Sequence, residues 1–218
     1  MKKIIEDFIP QGGKHCITNA LKQVLSYYDY PISEAMIFGI ASGLSFLYLN
    51  QSISPMINGR TKVFEFEEKL AKRLHITIKC KSGKDYTRIF NMTKKMIDEN
   101  HPVLIYVDMP YLHYLGMNPN SHFVLYGYDD ETREFWVSDR DNHDFPIRVP
   151  TGKINQDYHL VHYDELERAR CSSHRPFPAS YKYLMFDFHD YQKIDKLTIK
   201  EAILETCETM LNPPAQLL

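Results

Sequence analysis

The sequence lacks several signatures that would have settled its chemistry at once. Its four cysteines, Cys16, Cys80, Cys171 and Cys207, form no CxxC pair, and the one CxxH spacing, Cys171 with His174, has no second cysteine pair beside it, so the paired spacings used by zinc sites are missing and no metal is expected. It has no GxxxxGK[ST] or GxGxxG loop, no GxSxG elbow and no HExxH pair. Phosphate-loop, dinucleotide, serine-hydrolase and zincin chemistry therefore have no motif to stand on, and no cofactor is expected. Charge of one sign is missing too: the formal net charge is −2 over 218 residues, which gives no basic face for nucleic acid.

A long apolar run is also absent. The uncharged stretch AMIFGIASGLSFLYL, residues 35–49, is broken by Gly39, Ser42, Gly43 and Ser45 and falls short of the ~18 residues that a spanning helix needs. It reads as a buried helix running into a pocket-lining segment, with no membrane as partner. The first residues, MKKIIEDFIPQGGKH, open with two lysines after the methionine but hold no signal-peptide core, so the protein is expected in the cytoplasm with free thiols.

What remains is an ordinary globular composition, 44% hydrophobic and 25% charged, on a chain long enough for one large domain with an appendage. Apolar residues at helical spacing predict helices over 16–29, from Ser33 onward, over VFEFEEKLAKRLH with Phe66, Leu70 and Leu74 inward, and after Asp85 as a cap. In that fourth helix Ile89, Met92, Met96 and Ile97 are expected to be buried. Residues 50–62 read as loop. Strands are expected at HITIKC, VLIYVD, HFVLYGYD with EFWVSD, DFPIRV and YKYLMFDF. YDELERAR reads as a short helix. TIKEAILETCETML reads as a last helix with Ile199, Ala202, Ile203, Thr206 and Met210 inward. Helices first and antiparallel strands later define an α+β class.

One placement invites chemistry. Cys16 follows Gly12 and Gly13 where a loop becomes a helix. Unpaired N–H groups and the helix dipole at that end favour a thiolate. The backbone N–H of Cys16 and the side chain of Gln11 are candidate oxyanion donors. The alternative is a small buried hydrophobe. A nucleophile needs a base, and His122 opens a strand whose hairpin partner ends in Asp139. A turn centred between Asp130 and Glu131 would set His122 opposite Asp139, Val124 opposite Val137 and Tyr126 opposite Phe135, all on one face. A one-residue slip would bring Ser138 or Arg140 to His122 instead. Cysteine on an early helix, then histidine and aspartate on later strands, is the order of papain-type triads. DRDNHD, residues 139–144, spaces oxygen ligands as a calcium loop does. It lacks the required glycine and glutamate, so calcium is set aside. His15 reads as a cap or pocket wall, and His113 as a loop residue or substrate contact.

The segments GKHCITNAL, SEAMIFGIASGLSFLY, NGR, YVDMPYL, HFVLYGYD, VSD and YDELERAR, in that order, resemble the N-terminal domain of the butirosin-biosynthesis protein H family. The likeness runs from about Gly12 to Arg170. It implies a papain-like cysteine-protein fold, with N-terminal helices packed on a mostly antiparallel sheet. By matching motif, Cys16 would be nucleophile, His122 base and Asp139 its orienting acid. Glu34, Arg60 and Asp108 fall in family-like motifs and are expected at the substrate site. The namesake moves an acyl group from a carrier-protein thioester to an amine. The implied partners are an acyl carrier protein bearing a phosphopantetheine thioester and a small amine acceptor, in natural-product assembly. A peptidase or amidase with the same triad, or a binding domain that kept the pocket, are the alternatives. The resemblance further implies a catalytic domain over 1–190 and a C-terminal helix and tail over 191–218, the remnant of a second helical region.

Overall fold

The computed structural model describes residues 1–49, 56–60, 64–113, 121–139, 158–173 and 178–212. The predicted DFPIRV strand lies outside these. The chain forms two compact units, residues 1–34 with 80–185, and residues 35–79 with 186–218.

The first unit begins with β1 (Lys2–Ile4) and α1 (Cys16–Tyr27). Helix α1 stops two residues short of the expected end, because Asp29 takes a left-handed φ of 64° ahead of Pro31. In the second unit, α2 (Glu34–Ile40, whose first residue belongs to the first unit) gives way to a hairpin of β2 (Leu44–Leu49) and β3 (Met56–Arg60). The helix predicted to run on from residue 35 is therefore a helix only to Ile40. The loop predicted over 50–62 contains a strand. The β-branched and aromatic residues around Gly43 and Gly59 favour extended backbone over helix. Helix α3 (Glu65–Leu74) buries Phe66, Leu70 and Leu74 as expected.

The main sheet holds seven strands. Besides β1 they are β4 (Thr77–Lys81), β5 (Val103–Val107), β6 (Ser121–Asp129), β7 (Glu134–Ser138), β8 (His159–His162) and β9 (Tyr183–Asp187). Their order is β4-β9-β5-β6-β7-β8, with β1 also on β6. Every residue of β5 is buried, as its unbroken apolar sequence demands of a strand flanked on both edges. Strand β6 is long enough to take β5 along Ser121–Leu125 and β1 along Gly127–Asp129. Gly127 is needed there. A Cβ at that position would stand 3.0 Å from the Lys3 carbonyl and 3.1 Å from Ile4.

Helix α4 (Tyr86–Asp98) starts where predicted, the Asp85 carboxylate accepting from the Arg88 N–H at 3.1 Å. Its buried face is Ile89, Thr93 and Ile97, while Met92 is exposed. Thr93 can lie inside because its hydroxyl donates back to the Ile89 carbonyl at 2.9 Å. Helix α5 (Tyr163–Cys171) follows β8. Helix α6 (Lys196–Leu211) corrects another expectation: Ala202 is buried, but Ile203 and Met210 are exposed. Polar anchoring selects its inner face. The Ser42 hydroxyl donates to the Ala202 carbonyl at 3.3 Å, and Glu205 pairs with Lys69 at 2.9 Å and with Arg73.

The β6–β7 register also differs from the sequence reading. Val124 faces Ser138, Leu125 faces Val137, and then Tyr126 is skipped so that Gly127 faces Trp136. Two features cause the shift. Tyr126 forms a bulge, and the connection is four residues, Asp130 to Arg133, ending with Arg133 at a left-handed φ of 59°. His122 is therefore not cross-strand to Asp139. Its partner is Tyr106 on β5.

Candidate active site

Cys16 is the first residue of α1 and is 8% exposed. His15 holds the capping position in extended conformation without capping through its side chain, so it is no side-chain cap. Its ring nitrogen Nδ1 lies 3.2 Å from the Thr18 hydroxyl. The Cys16 Sγ lies 3.7 Å from Nδ1 of His122, across 106 residues of sequence. The His122 ring is 4% exposed and stands edge-on to Tyr106, centroids 4.2 Å apart at 70°. That contact restricts how the imidazole can turn.

Asp139 reaches the same place by a route other than cross-strand pairing. Strand β7 ends at Ser138. Had the ladder continued, Asp139 would face Phe123 and project to the opposite side from His122. Beyond the ladder, the Asp139 carbonyl instead accepts from Asn19 Nδ2 at 3.2 Å. Asn19 is one helical turn from Cys16. Asp139 is 4% exposed. Sulfur, imidazole and the Asp139 backbone thus converge on the head of α1.

The loop ahead of the cysteine is held at several points. Gln11 N–H donates to Gln23 Oε1 at 3.1 Å, and the Gln11 carbonyl accepts from Asn19 Nδ2 at 3.1 Å. Lys22 Nζ donates to the Gly12 carbonyl at 3.0 Å. Glu34 accepts from the Lys14 N–H at 3.0 Å, the His15 N–H at 3.3 Å and the Thr18 hydroxyl at 2.8 Å. The Gln11 residue itself remains exposed.

The other expected substrate residues fare differently. The carboxylate of Glu34 is engaged by loop and helix donors, which makes it a brace of the cysteine loop. Asp108 is 2% exposed, accepts from the Ser172 hydroxyl at 2.5 Å and ties its own N–H to the Ala169 carbonyl at 2.8 Å. It joins the end of β5 to the end of α5. Arg60 ends β3 in the second unit, where its backbone pairs with Leu44. His113 is held by Glu165, which accepts from its N–H at 2.6 Å and approaches its Nδ1 at 2.9 Å. Among the described residues no group of three His, Cys, Asp or Glu side chains could hold a metal ion, and no helix is long and apolar enough to cross a membrane.

Sequence reasoning missed Asn19, Gln23 and Tyr106, and named Ser138 only as a neighbour of His122 in a slipped register. A signal existed for the first two. They stand three and seven residues after Cys16, on its own face of the helix.

The fold is that of the papain-like cysteine proteins. A crystal structure from Bacillus anthracis, described as a candidate C39-like peptidase, aligns with a TM-score of 0.57 at 12% identity, covering 88% of this chain and 99% of that one. Comparison with curated protein sequences finds no match. The chain belongs to the butirosin biosynthesis protein H family, its residues 15–140 matching the N-terminal domain that defines it.

Proposed function

We propose that this protein is a cysteine-dependent acyltransferase that takes an acyl group from a carrier-protein phosphopantetheine thioester and passes it to a small amine. The observation that carries the reading is the 3.7 Å approach of the Cys16 sulfur to His122 Nδ1 at the start of a helix. The helix terminus favours the thiolate, and a neighbouring imidazole can accept the thiol proton. The thiolate attacks the thioester carbonyl, and the pantetheine sulfur leaves with a proton from the His122 imidazolium. The acyl group then rests on Cys16. The amine attacks that carbonyl, His122 takes the amine proton, and the Cys16 sulfur is released. Asp139 holds the imidazole orientation, and Gln11 with the Cys16 N–H receives the developing oxyanion.

Mass spectrometry of the protein mixed with an acylated carrier protein tests this. An adduct on Cys16, absent from Cys16→Ala, is the expected result; wild type behaving like the variant would sink it. A second reading, hydrolysis by the same residues, draws on the fold shared with the C39-like structure. Product analysis with and without an amine separates the two. Amide formation supports transfer, and release into water at a rate indifferent to amine supports the hydrolase.

A further inference from the structure

We propose that Asn19 and Gln23 form a polar strut that locks the Gln11 loop to the strand end carrying Asp139, so that nucleophile, oxyanion loop and acid keep one geometry. The catalytic meaning of the strut rests on the reading of Cys16 as nucleophile; the strut itself rests on distances.

Cys16, Asn19 and Gln23 recur at i, i+3 and i+7 and so share one face of α1. The two amides join the same two segments by opposite polarity. Asn19 Nδ2 gives its two hydrogens to two carbonyl oxygens, that of Gln11 at 3.1 Å and that of Asp139 at 3.2 Å. Gln23 Oε1 offers its lone pairs to two donors, the Gln11 N–H at 3.1 Å and the Ser138 hydroxyl. Both backbone groups of Gln11 are thereby tied to α1, and α1 to residues 138 and 139.

The arrangement has a cost. Asn19 is 1% and Gln23 2% exposed. Asn19 Oδ1 and Gln23 Nε2 are buried without a hydrogen-bond partner among the described residues. Packing alone would be served better by leucine at both positions, since half-satisfied buried amides are penalised. What the amides supply, and leucine cannot, is a directed link between three separate pieces of chain. Both are positioning residues. Neither is assigned contact with the substrate.

The polarity makes the inference testable by shape-conserving amide-to-acid substitutions that should behave in opposite ways. Gln23→Glu keeps the acceptor oxygen and exchanges an amide nitrogen that has no partner for a second carboxyl oxygen, whose proton burial retains. Asn19→Asp replaces the donor with an acceptor aimed at two carbonyl oxygens. Two measurements on the full chain read the outcome: hydrogen exchange at the Gln11 amide, and iodoacetamide alkylation of Cys16 against pH, resolved by peptide mass spectrometry. Wild type and Gln23→Glu should protect the Gln11 amide and alkylate within about threefold of one another. Asn19→Asp and Gln23→Leu should each lose about tenfold in protection, and Cys16 alkylation should slow by a similar factor. Should Asn19→Asp fail to fold, Asn19→Leu joins the comparison of Gln23→Leu with Gln23→Glu. A Gln11 amide that exchanges freely in wild type would overturn the strut, as would Gln23→Leu behaving like Gln23→Glu. Ordinary thiol reactivity at Cys16 in wild type, with the polarity contrast intact in exchange, would support the strut and defeat the acyl-enzyme reading alone.

Discussion

His159 lies on β8 opposite Val137. Burial, assisted by the nearby positive charge that His113 can carry, pushes its imidazole down from 6.5 to about 4. The sign of the consequence follows from proton counting. As pH falls below the ordinary imidazole value, the unfolded chain binds a proton that the folded chain refuses until about pH 4. Stability is therefore intact above pH 6.5 and is lost progressively through that window. At about 1.4 kcal/mol per pH unit, acidification from about pH 7 to about pH 4.5 should remove about 2.5 kcal/mol through this one group. That is a sizeable part of the ~5–15 kcal/mol that holds a domain folded. His159→Gln cannot take up the proton in either state. Urea unfolding of both proteins across this range, with unchanged m-values, isolates the effect. The wild type should lose about 2.5 kcal/mol more than the variant. Parallel pH profiles would refute the argument, for they would mean that His159 titrates alike in folded and unfolded chains.

Other perturbations follow from the same kind of reasoning. Arg170 is 1% exposed, donates through Nη1 to the Thr93 hydroxyl at 3.2 Å, and is pushed by burial down to about 10. Its Nε and Nη2 have no hydrogen-bond partner among the described residues. Arg170→Met should therefore raise stability by about 1–2 kcal/mol, seen as a melting point a few degrees higher; a fall would refute the reading. Gly13→Ala would set a Cβ within 3.0 Å of both Asn19 Oδ1 and Glu34 Oε2. It should cost about 1–3 kcal/mol and slow Cys16 alkylation, and an unaltered melting point would show that the loop yields more easily than its contacts suggest. Asp129 is held below the usual carboxylate value chiefly by the Glu131 N–H, with Lys2 assisting. Its stabilisation is present above the ordinary aspartate range and lost as pH falls through the lowered value, so Asp129→Asn should flatten the acid limb of unfolding.

The parts legible in the sequence are those where local pattern and tertiary demand agree. The apolar face of α1, the Asp85 cap and the unbroken run of β5 all state their environment in residue order. So does the meeting of Cys16 with His122, because the chemistry of a nucleophile requires a base. The misread parts depend on events that have no local mark. The register of β6 and β7 turns on a bulge at Tyr126 and a left-handed Arg133, a residue type that carries no preference for that conformation. The outer face of α6 is apolar by composition, yet Ala202 and Glu205 choose which side packs.

Asn19 and Gln23 show why the site was only half legible. On the inward face of an amphipathic helix an amide looks like a flaw in the hydrophobic pattern, and the pattern survives if it is ignored. Physically it is the reverse. A buried amide is tolerated only where it has directed partners, and these partners lie at residues 11, 138 and 139, two stretches that helical periodicity does not describe. The same bonds explain how Asp139 comes beside the site although its strand register points it away. The ladder releases it after Ser138, and Asn19 takes its carbonyl. A sequence rule that treats inward polar residues near a candidate nucleophile as links, and asks which backbone they serve, would have led to the Asp139 backbone without any assumption about the hairpin.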